Sequence, residues 1–256
     1  MKVKLIAFDL DGTLLRDDHS VSEYSFSVLK KCREKNILLA IATARSYASA
    51  ESYIEIINPD IVITNGGATC YYKDKLFFKR TISIHDSNCI INKALQDKAV
   101  NYIRFVGLNE YFSNAANEVD RSNYYLYSDF SSPIRQESCK ISLYTNSELI
   151  VNDYSLHNPL INMFRFTNKM IYIICHKEAS KEMALFAIAK KIKINLKTEA
   201  ISFGDDILDI GMLNSTTISV APQNSSDCVK NIVTNICLPS NSDGVAKFVE
   251  KVILNK

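Results

Sequence analysis

Glycine and proline are scarce, seven and five in 256 residues, which leaves no room for a collagen-like repeat or a low-complexity linker. Charge of one sign is missing too: 30 Lys plus Arg against 28 Asp plus Glu gives a formal net charge of +2. Without a basic run there is no electrostatic case for wrapping nucleic acid or coating a membrane. No apolar segment reaches the roughly 20 residues that span a bilayer. The opening Met1-Lys2-Val3-Lys4 leads into charged Asp9 and Asp11 instead of a secretory core. The seven cysteines (Cys32, Cys70, Cys89, Cys139, Cys175, Cys228, Cys237) are odd in number, widely spaced and contain no CxxC, so neither a disulfide framework nor a zinc site is indicated. These absences predict a cytoplasmic protein working on small molecules. What is present, 47% hydrophobic and 23% charged residues, is the composition of a folded chain long enough for two lobes.

Strand and helix alternate from the start. An apolar run from Val3 to Phe8, a helical stretch from Val21 to Lys35 and a second apolar run from Ile37 to Ala42 make a βαβ unit, with Ser20 and Glu23 spaced as a capping box. A helix over Ser46 to Ile57 and a strand over Asp60 to Thr64 follow, ending in Asn65-Gly66-Gly67. The same grammar returns late in the chain: a helix including Ala187 to Lys191, strands at Ala200 to Phe203 and Thr217 to Ala221, and helices at Ile207 to Leu213 and Asp243 to Leu254. Continuously apolar strands mark a parallel sheet covered on both faces, here a doubly wound α/β sheet. Between about Ser83 and Ile174 the pattern shifts to alternating aromatic strands, Tyr102 to Phe105 and Asn162 to Phe166, with a turn expected at Asn168-Lys169. The reading is one core domain, 1–81 and 176–256, interrupted by an inserted α+β domain, 82–175, on short connections.

Chemistry concentrates at strand ends. Asp9 and Asp11 follow the first strand, and residues two apart on an extended chain face one side. Two buried like charges need a cation or a proton to offset them, which suggests a metal and one carboxyl group that cycles its proton. A second acidic cluster, Asp205, Asp206 and Asp209, follows another strand; Asp205 suits an inner ligand of Mg²⁺, and Asp206 and Asp209 the waters around it. Taken alone, Asp205 and Asp206 also suit the dipole of a helix start. Thr43 closes the second strand where a hydroxyl and backbone N–H groups can hold phosphate oxygens. Lys181 opens a helix, where the dipole does not favour a cation, so a ligand role is open beside an ordinary surface position.

These segments together resemble the haloacid dehalogenase (HAD) superfamily, and within it the Cof-type, subclass IIB phosphatases. The resemblance rests on Asp9-Leu10-Asp11-Gly12-Thr13-Leu14-Leu15, Ala42-Thr43-Ala44-Arg45, Thr64-Asn65-Gly66-Gly67-Ala68, Lys181 with Ala184-Leu185, Gly204-Asp205-Asp206-Ile207-Leu208-Asp209, and Asp243-Gly244-Val245-Ala246. It implies a Rossmann-like core with an inserted cap of the C2B type, and a Mg²⁺-dependent phosphatase acting on a small phosphorylated metabolite. Asp9 would be the nucleophile that forms an aspartyl-phosphate, and Asp11 the acid that protonates the leaving alcohol and later activates water. Thr43 and Lys181 would hold phosphate. Asp9, the Asp11 carbonyl and Asp205 would hold Mg²⁺.

Three positions depart from the family pattern. Ala44 stands where Gly is frequent, Gly67 where Ala is usual, and Leu208 where Asn commonly precedes the last acid, so the resemblance implies the loss at Leu208 of a polar contact near the phosphate or its acid network. A phosphomutase or phosphotransferase with the same intermediate, or a non-catalytic phospho-sensor, stays open beside the phosphatase. In the insert, Arg104, Arg165 and the Asn123, Tyr124, Tyr125, Tyr127 cluster are candidates to line a cleft, although aromatics at strand spacing are more often core and arginines more often solvated.

Overall fold

The computed structural model describes residues 2–116, 125–149, 154, 158–165 and 170–255. They form two compact units, one of residues 1–79 and 180–256 and one of residues 80–179. The joints expected at 81/82 and 175/176 thus differ from the observed divisions by two and four residues.

The first unit begins with β1 (Leu5–Phe8), α1 (Glu23–Glu34), β2 (Leu38–Ala42), α2 (Tyr47–Ile57), β3 (Ile61–Thr64), β4 (Thr69–Tyr72) and β5 (Lys75–Lys79). The second unit holds α3 (Ile84–Gln96), β6 (Val100–Gly107), β7 (Tyr111–Ser113), β8 (Leu126–Tyr127), β9 (Ser138–Thr145), β10 (Ile161–Arg165) and β11 (Ile171–His176). The chain then completes the first unit with α4 (Lys181–Lys191), β12 (Ala200–Phe203), α5 (Ile210–Ser215), β13 (Ile218–Pro222), β14 (Asn235–Cys237) and α6 (Gly244–Val249).

The eight strands of the first unit run β14-β13-β12-β1-β2-β3-β4-β5; pairing is parallel from β14 to β3 and antiparallel over the last two. The central strands β1 and β2 are apolar on both faces for a reason visible in the packing. Ile6, Phe8, Leu39 and Ile41 meet Val28 and Leu29 of α1 on one side. Leu5, Ala7, Ala40 and Ala42 meet Ala184, Leu185 and Ile188 of α4 on the other. Chain order climbs outward from β1 on one side and from β12 on the other, so the order of the parallel strands reverses between these two. Crevices at such reversals, beyond the carboxyl ends of the strands, are where open α/β sheets bind ligands.

Among the described residues, the second unit holds a six-stranded sheet, β10-β11-β9-β6-β7-β8, mostly antiparallel. Its core joins Ile90 and Ile91 of α3 to Phe105, Ile141, Leu143 and Ile174. Arg104 lies over the rings of Tyr102, Tyr125 and Tyr144 and donates to the Tyr144 hydroxyl at 2.5 Å. Arg165 pairs with Glu148 at 2.8 Å, and Tyr127 is exposed. Asn123, Tyr124, Phe166 and the turn expected at Asn168-Lys169 lie outside the described residues.

Three local expectations change. Ser22 caps α1, accepting from Ser25 N at 3.0 Å, because its extended backbone places the hydroxyl three residues before that amide; Ser20 stands two residues too early for the role expected of it. Ile207–Asp209 is a 3-10 turn ahead of α5, not the opening of one helix. Asp243 adopts a left-handed conformation before α6 instead of starting it, and its carboxylate gathers Arg16 Nη2 (2.9 Å), Ser22 Oγ (2.7 Å) and Ser25 Oγ (3.3 Å). That carboxylate ties the first helix to the last. Asp243→Ala is expected to lower stability by about 2 kcal/mol by stranding these donors, and Asp243→Asn by less, in chemical denaturation of the purified protein.

Candidate active site

Asp9 N donates to Phe203 O at 3.1 Å, so the residue after β1 sits where β1 and β12 part. Asp205 follows β12 across the same gap. Thr13 Oγ1 donates to Asp205 Oδ1 at 2.6 Å, and Gly12, at φ +74°, has no room for a Cβ because the Asp205 carboxylate occupies that space. Asn224 Nδ2 holds the Gly12 carbonyl at 2.7 Å, and Ser226 N holds the Asp205 carbonyl at 3.2 Å. The segment after β13 therefore pins both acidic loops. Sequence reasoning missed Asn224 and Ser226, and a polar stretch after a strand carries no signal that separates them from an ordinary loop.

Lys181 is 2% exposed at the start of α4, with its Nζ 2.6 Å from Asp209 Oδ1 and 3.0 Å from Asp9 Oδ1. Asp209 is fully buried, and its Oδ2 accepts from the backbone N–H groups of Asp205 and Asp206 at 3.1 Å each. Asp209 thus has both oxygens engaged in holding Lys181 and the acidic loop. Asp206 caps the following turn through Ile207 N at 2.7 Å and stays outside the buried group. Leu208, which precedes Asp209 in the chain, is half-buried.

The start of α4 that carries Lys181 packs directly onto Gly67, to which the sequence alone gave no weight. Gly67 sits at φ +104°, and a Cβ there would run into the Ser180 carbonyl and Lys181 N. The signal was present as a Gly-Gly pair after a strand, but only the packing shows what the second glycine touches.

Thr43 is buried at the end of β2. Its Oγ1 accepts from Arg45 N at 3.1 Å, which leaves the hydroxyl proton available for donation. Gly66 N donates to the Thr43 carbonyl at 3.0 Å and Asn65 N to the Arg45 carbonyl at 2.7 Å, so the end of β3 fixes the loop after β2. Asp11 faces Arg45: Nε donates to Oδ2 at 2.7 Å and Nη2 to Oδ1 at 2.6 Å. The structure thus brings Asp9, Lys181, Asp205 and Asp209 together and turns the Asp11 carboxylate toward Arg45.

The electrostatics follow from these contacts. Burial pushes Asp9 up to about 8, with Asp209 and Asp205 adding to the rise against the pull of Lys181. Asp205 rises to about 6, chiefly through burial, against the hydrogen bond from Thr13. Burial opposes the charge on Lys181, but the Asp209 and Asp9 carboxylates outweigh it and keep the ammonium protonated. Burial also opposes the Asp11 carboxylate, and the Arg45 fork overcomes it, holding that group below the ordinary carboxyl value.

Three carboxylates with oxygens mutually within 4.8 Å face one ammonium, an excess of negative charge in a buried place. Asp9 Oδ1 is attracted to Lys181 but accepts no well-directed hydrogen bond, so its lone pairs stay open to a further cation. An all-oxygen donor set of this kind fits a hard divalent cation.

A family model described as haloacid dehalogenase-like hydrolase matches residues 6–249. The chain belongs to the haloacid dehalogenase-like hydrolases. This hydrolase is 28% identical to a putative phosphatase of Buchnera aphidicola subsp. Baizongia pistaciae over 98% of its own length and 99% of that protein. It is 25% identical to a 5-amino-6-(5-phospho-D-ribitylamino)uracil phosphatase of Bacillus subtilis, over 98% and 97% of the two chains. Among solved structures, the HAD subclass IIB sugar phosphatase BT4131 superposes with a TM-score of 0.80 at 22% identity, covering 97% of this chain and 98% of that one. The hydrolase has the α/β core of its family, and the relatives just described are named phosphatases. None of its seven cysteines, all among the described residues, forms a disulfide, and no helix among the described residues is long and apolar enough to cross a membrane.

Two outcomes are expected. Gly67→Ala should destabilise the hydrolase by about 2–4 kcal/mol, through a left-handed alanine and the push on Lys181, measured by thermal or chemical unfolding. In the metal-free protein, Asp9 and Asp205 hold protons more tightly folded than at the ordinary value of 3.8. Their contribution to stability is full below that value and is lost as pH rises toward about 8. Tm in EDTA should therefore fall across that range, and a divalent cation should flatten the fall; a flat profile in EDTA would count against the crowding of carboxylates.

Proposed function

We propose that this hydrolase is a Mg²⁺-dependent phosphatase that releases phosphate from a small phosphorylated metabolite, a sugar phosphate, nucleotide-like cofactor or pyridoxal phosphate, through an aspartyl-phosphate on Asp9. The observation that carries the reading is the Asp9 carboxylate at the end of β1, beside a buried lysine and a second carboxylate from β12. The ribitylamino-uracil phosphatase and the sugar phosphatase named above act on small phosphates and support the substrate class.

Asp9, the Asp11 carbonyl and Asp205 would hold Mg²⁺, which supplies neutralisation of the charge shared by Asp9 and an incoming phosphate dianion. Asp9 Oδ attacks phosphorus as the bond to the leaving oxygen breaks, and Asp11, ionised beside Arg45 until it takes up a proton with the bound substrate, gives that oxygen the proton. Asp11, now ionised, takes a proton from the water that attacks the Asp9 phosphoester, releasing inorganic phosphate and restoring both carboxyl groups. Lys181 and the Thr43 hydroxyl hold phosphoryl oxygens and stabilise the charge that builds on them.

Phosphate release from a panel of sugar phosphates, nucleotides, pyridoxal phosphate and p-nitrophenyl phosphate tests the reading. Wild type should release phosphate with Mg²⁺ and not with EDTA, and Asp9→Asn should lose about a thousandfold or more while unfolding at a similar temperature. Asp205→Asn should raise the Mg²⁺ concentration for half-maximal rate by about tenfold or more. Substantial turnover by Asp9→Asn would remove the nucleophile assignment.

A further inference from the structure

Asp11 is the one acidic residue of its loop that neither lies in the buried carboxylate group nor faces open solvent unattended. Its side chain is 44% exposed, which leaves the carboxylate free to rotate unless something holds it. Arg45 does so with a planar fork, Nε and Nη2 each reaching a different carboxylate oxygen at 2.7 and 2.6 Å. The fork is itself fixed. Nη1 donates to the Ser49 carbonyl at 3.2 Å, and the guanidinium carbon stands 4.9 Å from the centre of the Tyr53 ring, both on α2. The backbone of Arg45 is tied as well, with its N–H on Thr43 Oγ1 and its carbonyl on Asn65 N. His19 Nδ1 closes the arrangement at 3.5 Å from Asp11 Oδ1 and from Arg45 Nη2.

We propose that Arg45 is the positioning residue of Asp11, a rigid fork braced against α2 that fixes the plane of this carboxyl group so that it meets the leaving oxygen of the substrate. This rests on the phosphatase reading above, since it assigns Arg45 to the step in which the phosphorus–oxygen bond breaks and the leaving oxygen takes the Asp11 proton. A half-exposed ion pair of this kind contributes little to folding, so its value lies in geometry. Two parallel N–H donors fix a carboxylate plane, which a lysine ammonium does not do. Arg45 also joins the acid/base group to Thr43, so one residue sets the spacing between the group that moves the proton and a group that holds phosphate.

The leaving group tests this. p-Nitrophenolate departs as a stable anion and needs little help from an acid, whereas an alkoxide needs its proton. In Arg45→Ala, kcat/KM for an alkyl phosphate such as a hexose 6-phosphate should fall by about tenfold or more relative to kcat/KM for p-nitrophenyl phosphate. Arg45→Lys should show the same selective loss, because it keeps the charge and lacks the fork. An equal loss on both esters, or Arg45→Lys indistinguishable from wild type, overturns the proposal. Retained turnover in Asp9→Asn would instead sink the phosphatase reading, whatever the Arg45 variants do. A crystal structure of Arg45→Ala decides the matter without turnover: an Asp11 carboxylate that has lost its single orientation supports the fork, and one ordered in the same place overturns it.

Discussion

A buried ammonium between two buried carboxylates governs this molecule. Lys181 Nζ stands 2.6 Å from Asp209 and 3.0 Å from Asp9, on strand ends and a helix start that are far apart in the chain. Removing such charges from water is costly, and only close pairing with further hydrogen bonds offsets it. The protein meets that condition for Lys181 and Asp209, whose remaining oxygen takes two backbone N–H groups. It does not meet it for Asp9 and Asp205, which are left with excess negative charge. That imbalance is what a divalent cation and a phosphate group would resolve together.

Much of the surrounding architecture keeps this arrangement in place. Gly67 lets the start of α4 close onto the turn after β3, and Gly12 lets the first acidic loop close onto Asp205. Thr13, Asn224 and Ser226 fasten the loops from two further directions. The other half of the site is organised by Arg45, whose backbone holds Thr43 and whose side chain holds Asp11. The two halves meet at Asn65, Gly66 and Gly67, a three-residue turn with one hand on the loop after β2 and the other on Lys181.

The strand and helix order of the core was legible because each element carries its own period, and a covered parallel strand such as Leu5–Phe8 has no polar side to disguise it. The departures lie at ends and turns, where local rules compete. Ser20 and Ser22 both offer a capping hydroxyl, and only backbone direction chooses Ser22. Asp243 looks like a helix start, yet its left-handed backbone serves a carboxylate shared by residues near position 20.

By itself the sequence determined that Asp9 and Asp11 follow one strand, that Asp205, Asp206 and Asp209 follow another, and that a threonine and a lysine stand at two further junctions. Those facts depend on spacing, and spacing is local. Tertiary structure alone decided which partners two of the acids take: Lys181 for Asp209 and Arg45 for Asp11. It also gave Gly67 and Asn224 their roles. The reason is physical. Each of these choices is settled by a partner that the fold brings within about 3 Å, where the directional energy of a hydrogen bond or ion pair outweighs any preference written into neighbouring residues.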